Sequence, residues 1–177
     1  MLDGEEKIIK RAVEGKSSAF GSLYDHYHSK IYRFVLMKVS RREEAEDITH
    51  QVFLSAWQNI KSYKDLGYPF SSWLYRIARN QVADYYRSKK SESSLENFDP
   101  EYFISPATIS LDLSLKMEME KVILAIRKLK PEYQDVIIMR FVEDMPVKET
   151  AEAIQKSEGA VKLLQHRAIK ELKKILS

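Results

Sequence analysis

Residues 146–176 read PVKETAEAIQKSEGAVKLLQHRAIKELKKIL, and their spacing predicts two helices joined by a short turn. Ala151 is small where the first helix must approach the second, Ile154 and Val161 fill the angle between them, and Leu164 continues the buried side. Ser157 stands where a hydroxyl caps the second helix. At 100° per residue, Val161, Leu164, Ala168, Leu172 and Ile175 share one face, and Lys162, Leu163, His166, Arg167 and Lys170 share the other. A helix entering a DNA major groove needs such a face, with Arg or Lys for guanine edges and phosphates and an apolar tip for a thymine methyl. An ordinary solvated terminal helix looks similar, because a basic last turn also suits the helix dipole.

Working outward, helical periodicity resumes at about residue 112 through Met119, Val122, Ile123, Ile126 and Leu129, and Pro131 is placed to open the next helix. Four helices are expected in a C-terminal domain over 114–177. Before them, 91–113 carries acidic residues, serines and prolines but no positive charge. It reads as a flexible acidic linker, suited either to avoiding nucleic acid or to occupying a site built for it; a plain solvated tether has the same composition.

The N-terminal part, 1–90, is helical again. A first helix is expected over 5–14 and a second over 18–39, the latter turning Phe20, Leu23, Tyr24, Tyr27, Ile31 and Phe34 toward a core. Ser40 and Glu43 have capping-box spacing before a third helix that runs to about residue 58. Its Ala45, Ile48, Thr49, Val52 and Ala56 face inward, leaving Asp47, Gln51, Leu54 and Gln58 as an outer stripe with Trp57 beside it. A leucine among glutamines suits a protein partner better than DNA.

Residues 63–90, YKDLGYPFSSWLYRIARNQVADYYRSKK, interleave seven aromatics with six Lys or Arg against two acidic residues. Unpaired nucleic acid is held by such mixtures: cations track phosphates, and aromatic faces stack bases at roughly 1–3 kcal/mol each. A fourth helix over 70–87 puts Phe70, Leu74, Ile77, Ala78, Gln81 and Tyr85 on a core side and Trp73, Arg76, Asn80, Ala83 and Arg87 on a second side. Loop tyrosines Tyr63 and Tyr68 join Trp73 as candidate base platforms. For Trp73 a partly buried core indole is the competing placement, and for Arg76 and Arg87 surface ion pairs.

The whole is expected to be all-α: two small helical domains and a linker. With 44% apolar and 31% charged residues the 177-residue chain is an ordinary globular one, and without cysteine it has neither disulfides nor thiolate metal sites. No signal-peptide core or membrane-length apolar run is visible, so a cytoplasmic chain is expected, with no membrane insertion. Net charge is only +3, yet the linker is acidic and both flanks are basic.

AEDITHQVFLSAW (45–57), PFSSWLYRIARN (69–80), the acidic linker and the helix-turn-helix occur in an order that resembles the extracytoplasmic-function (ECF) sigma factors, group IV of the bacterial sigma-70 family; FGSLYDHYHSKIY (20–32) fits as well. The resemblance covers nearly the whole chain. It implies a non-enzymatic subunit, monomeric when free, that binds the beta-prime clamp and beta subunits of core RNA polymerase and directs it to promoter DNA. Residues 1–90 would be region 2 and 114–177 region 4. Asp47, Gln51, Leu54 and Gln58 would bind the clamp. Tyr63, Tyr68, Trp73, Arg76, Asn80 and Arg87 would recognise and melt the minus-10 element. Gly159, Lys162, Leu163, His166, Arg167 and Lys170 would read the minus-35 element. The linker would thread the polymerase's nucleic-acid channels, and an anti-sigma factor would hold the free chain. Two positions depart from the family pattern. Gln155 stands where the turn often has glycine, so the turn is either left-handed at some cost or different. Leu163 and Leu164 stand where polar or basic residues are frequent.

Catalysis finds little support. His26 and His28 are two apart on a helix, about 200° around it, and cannot share a metal; no zinc-protease motif, Gly-rich phosphate loop or nucleophile elbow occurs, and no metal or cofactor is expected. The alternative to a sigma factor is a helix-turn-helix transcription regulator with an N-terminal sensor or dimerisation domain. Such a domain has no need of the basic, aromatic stripe in 63–90.

Overall fold

The computed structural model describes residues 3–39, 41–64, 67–89 and 113–177, with side chains from 117 onward in the last stretch. Every regular element among them is helical: α1 (Glu5–Val13), α2 (Ser17–Val39), α3 (Arg42–Asn59), a 3₁₀ turn (Ile60–Ser62) and α4 (Phe70–Ser88), then α5 (Leu113–Arg127), α6 (Pro131–Ile137), a π-helical turn (Ile138–Val142), α7 (Val147–Ile154) and α8 (Glu158–Leu176). The expected all-α class holds. The expected linker and the Ser40 cap lie outside the described residues.

In the first domain the apolar stripes of α2, α3 and α4 meet. Leu23, Ile31 and Phe34 pack with Val52, Ala56, Phe70, Leu74 and Ala78, all buried. Each fully buried large aliphatic or aromatic side chain of this kind contributes roughly 1.5–3 kcal/mol. Tyr24, expected in the core, is 36% exposed; it lies edge-on to Phe53, which takes the buried place. The third helix begins at Arg42 with no side-chain cap from Arg41, and Glu43 and Glu44 in its first turn complement the dipole instead.

The second domain closes on Ile123, Ile126, Val136, Ile138, Met139, Ala153, Val161 and Ala168. Val122, expected inside, is exposed. Pro131 opens α6 at its first turn as expected. The chain then widens: the amide of Glu143 donates to Ile138 O at 3.0 Å and that of Met145 to Met139 O at 2.8 Å, reaching back five and six positions. Gln155 ends α7 in the left-handed conformation (φ 55°, ψ 48°), and Ser157 Oγ accepts from the amide of Ala160 at 3.2 Å, so the anticipated turn and cap both form.

The domains are docked on one another. Arg127 of α5 donates to Met37 O and Leu36 O of α2, both at 3.0 Å, and Tyr86 of α4 donates to Lys38 O. Carbonyls that the end of a helix leaves without intrahelical partners are thus satisfied from two other helices. Burial of this guanidinium pulls the Arg127 pKa down to about 10. Arg33 of α2 grips Glu143 with both ends, Nε to Oε1 at 2.6 Å and Nη2 to Oε2 at 3.2 Å. Those hydrogen bonds push the Arg33 pKa upward.

Candidate nucleic-acid and polymerase interfaces

On α4 the period divides residues largely as expected: Phe70, Leu74 and Ala78 are buried, Ile77 and Tyr85 are half-buried against the core, and Asn80, Ala83 and Arg87 are exposed. Tyr75 and Val82, not assigned to either side from sequence, are buried too. Trp73 is half-buried in an aromatic group, with Tyr63 at 5.2 Å and Phe70 at 5.3 Å between ring centroids. Its indole is therefore anchored at one edge and open at another. Arg87 pairs with Asp84 one turn away, an exposed contact of little energetic weight.

A neighbouring strip of α4, made of Ser72, Arg76 and Arg79 with Tyr68 before it, is covered, which the sequence did not anticipate; of these only Tyr68 and Arg76 belong to the candidate base-contacting set. α7 of the second domain lies along it: Lys148 Nζ stands 5.4 Å from the Tyr68 ring centroid, Ser72 Oγ donates to Glu149 O at 3.1 Å, Arg76 pairs with Glu152 at 3.6 Å, and Arg79 Nη1 reaches Ala153 O at 3.4 Å. The numbers rise together on both helices, so α7 and α4 run in the same direction. Arg79 also donates through Nε to Asp135 Oδ2 at 2.7 Å, and Lys38 donates to Oδ1 of the same carboxylate. Asp135 is only 3% exposed. A buried carboxylate needs such partners, since an isolated buried charge is strongly destabilising. Sequence reasoning missed Lys38, Arg79, Asp135 and Glu143. The one local signal was Lys38, a lone charge within the run FVLMKV.

α8 is the opposite case. Gly159, Lys162, Leu163, His166, Arg167 and Lys170 are all exposed, with Leu163 at 50%, while Val161, Leu164 and Ala168 are buried. The cationic face is open to solvent. Gln165, beside it, accepts from Arg140 Nε at 3.1 Å, tying the recognition-type helix to the π turn.

On α3 the outer stripe is as expected: Asp47, Gln51 and Gln58 are exposed and Leu54 is 40% exposed, while Ala45, Ile48, Thr49, Val52 and Ala56 are buried. Trp57 leans on Phe20 at 5.0 Å. Leu54 is thus an apolar side chain held out on a rigid helix with polar neighbours. Among the described residues no helix is long and apolar enough to cross a membrane, and no three His, Asp or Glu side chains gather as a metal site would require.

A helical pair of domains, one ending in a helix-turn-helix with an open cationic face and the other carrying an aromatic and basic helix, defines a DNA-binding transcription protein. The comparisons give the particular family. Residues 23–92 match Sigma-70 region 2 and residues 119–172 match Sigma-70, region 4. The chain is 31% identical over 194 residues to the ECF RNA polymerase sigma factor SigW of Bacillus subtilis, covering 97% of this chain and 96% of SigW. It is 35% identical over 174 residues to the ECF sigma factor BldN of Streptomyces coelicolor, covering 96% of this chain and 65% of BldN. In fold it is similar to CnrH solved with the cytosolic domain of CnrY (TM-score 0.74, 22% identity, 97% of this chain and 96% of that one). It is also similar to the sigma factor RpoE solved with the anti-sigma factor NepR from Bartonella quintana (TM-score 0.70, 21% identity, 89% and 96%). The chain belongs to the ECF sigma factors of the sigma-70 family. Its chemistry is binding, not catalysis.

Proposed function

We propose that this chain directs core RNA polymerase to promoters as an alternative sigma factor, with its labour divided between the two domains. Residues 1–90 act as region 2 and 114–177 as region 4, joined by the acidic linker 91–113, which follows the polymerase's nucleic-acid channels. Asp47, Gln51, Leu54 and Gln58 dock on the beta-prime clamp. Their common exposure on α3 supports this. Tyr63, Tyr68, Trp73, Arg76, Asn80 and Arg87 handle the minus-10 element, where stacking and phosphate contacts hold the melted strand. Gly159, Lys162, Leu163, His166, Arg167 and Lys170 enter the minus-35 major groove. The free chain works in the cytoplasm as a monomer and is held by an anti-sigma partner until needed.

The observation that carries this reading is the contrast along α8, whose alternate faces are a buried apolar stripe and an open row of cations inside a region 4 match. A helix-turn-helix regulator would share that helix but not a polymerase-docking face. Co-elution separates the two. A sigma factor travels with core polymerase on size exclusion, whereas a regulator binds duplex DNA alone and ignores the enzyme.

A further inference from the structure

One apolar side chain of α8 stands on the wrong side of the helix for the core. Val161, Leu164 and Ala168 fill the buried side, while Leu163 is 50% exposed on the other, among Lys162, His166, Arg167 and Lys170. At 100° per residue, His166 and Arg167 lie about 60° and 40° to either side of it, so the leucine sits at the centre of the cationic face. A single exposed leucine is ordinary on a protein surface. Its neighbour one turn back is not, because Gly159 is exposed on the same face, about 40° away. Its φ lies outside the left-handed region and a Cβ there would meet nothing within 4 Å, so neither backbone conformation nor packing calls for glycine. Alanine would favour the helix. The chain thus leaves a side chain out of its outer face where its own fold has no use for the space.

A bare backbone followed one turn later by a leucine makes a shallow notch, apolar on its floor and wall and rimmed by cations. Guanine edges and phosphates suit Lys162, Arg167 and Lys170, but they give Leu163 nothing to pack on. The apolar group that the bases themselves present in the major groove is the C5 methyl of thymine. We infer that the notch of Gly159 and Leu163 takes the C5 methyl of one thymine in the minus-35 element and so fixes a T·A pair at that position. The surroundings hold the notch in place. Ser157 Oγ accepts from the amide of Ala160 at 3.2 Å beside Gly159, and Arg140 Nε donates to Gln165 Oε1 at 3.1 Å on the flank of the helix. The inference rests on the reading of α8 as the minus-35 helix and narrows it from a row of residues to one chemical group on the DNA.

The test removes the methyl from the DNA as well as the leucine from the protein. Core polymerase carrying the full chain is bound to promoter duplexes taken from chain-dependent starts, with each minus-35 thymine replaced in turn by deoxyuridine, which lacks only the methyl. Affinity is read by competition against the labelled parent duplex. Wild type is expected to lose roughly four-fold at one thymine, the factor that burial of one apolar carbon supplies. With Leu163→Ala, a change at an exposed side chain that the core does not use, the parent and that deoxyuridine duplex should bind equally. Gly159→Ala should keep or raise the denaturation midpoint and narrow the same difference. A loss in Leu163→Ala as large as in wild type would assign the methyl to another residue and overturn the inference. So would a preferred minus-35 element in which no thymine methyl matters, although α8 would remain its reader. Holoenzyme that binds equally whatever the minus-35 sequence would overturn the reading of α8 itself. A lowered midpoint in Gly159→Ala would make the glycine a demand of the fold and remove it from the notch.

Discussion

Leu54 is the residue on which the polymerase-docking assignment turns, because its side chain contributes apolar area that only a partner can bury. Leu54→Asp is expected to leave the thermal unfolding of the free chain nearly unchanged, since surface substitutions away from packed features usually fall within about 0.5 kcal/mol. The same change should weaken binding to core polymerase, measured by competition against a labelled wild-type chain; equal competition would remove α3 from the interface. Arg167 is exposed on α8. Arg167→Ala is therefore expected to lose roughly 1–3 kcal/mol at one preferred minus-35 base pair if it reads an edge, and to lose equally on all sequences if it touches only phosphate. Glu44 tests electrostatics within the first domain. Burial alone would raise its carboxyl, but hydrogen bonds from Lys89 and Tyr85 outweigh this and hold the pKa below its ordinary value. A depressed carboxylate adds stability above the unfolded-state pKa and loses it as pH falls through the folded one. Melting temperatures of wild type and Glu44→Gln should accordingly differ at neutral pH and converge in acid below the usual carboxylate range. A gap that widens on acidification contradicts the assignment.

At the scale of elements, the helix-turn-helix stores a local cost. Gln155 adopts a left-handed backbone, which disfavours any side chain by roughly 1–2 kcal/mol relative to glycine. Gln155→Gly is expected to raise the unfolding free energy of the chain by roughly 1–2 kcal/mol, seen as a higher denaturation midpoint, while leaving minus-35 recognition intact; a lower midpoint would mean that the Gln155 side chain contributes something the backbone argument omits. Much of this element was legible because its information is local. Ala151, Ile154, Val161 and Leu164 are buried as their spacing required, and Ser157 caps where its hydroxyl stood in sequence. The outer stripes of α3 and α8 were legible for the same reason, since a helical period sorts faces without reference to the rest of the chain. Tyr24 and Val122 were misplaced because an aromatic or β-branched residue at the margin of a stripe fits either side, and only the neighbouring helix decides. α4 was the harder case. Its two sides were separated, yet nothing in residues 63–90 tells that Arg79 and Arg76 pair with Asp135 and Glu152, more than fifty positions away.

For the whole molecule, ion pairs between residues far apart in sequence hold the two domains docked. The pairs at Glu143, Asp135 and Glu152 join residues separated by 110, 97 and 76 positions, taking 143 less 33, 135 less 38 and 152 less 76. Trp73 is half-buried, with Tyr63 and Phe70 packed against it. Trp73→Ala is expected to impair strand opening more than closed-complex formation, read as lost permanganate reactivity of minus-10 thymines with promoter binding retained. Normal reactivity would make the indole a packing residue. The central claim, that this chain confers promoter choice on RNA polymerase, is tested most directly by transcribing genomic DNA with core enzyme, with and without the chain, and sequencing the initiated 5′ ends. The account predicts a set of starts found only with the chain, sharing one element near minus-10 and another near minus-35. Identical starts in both reactions would contradict it.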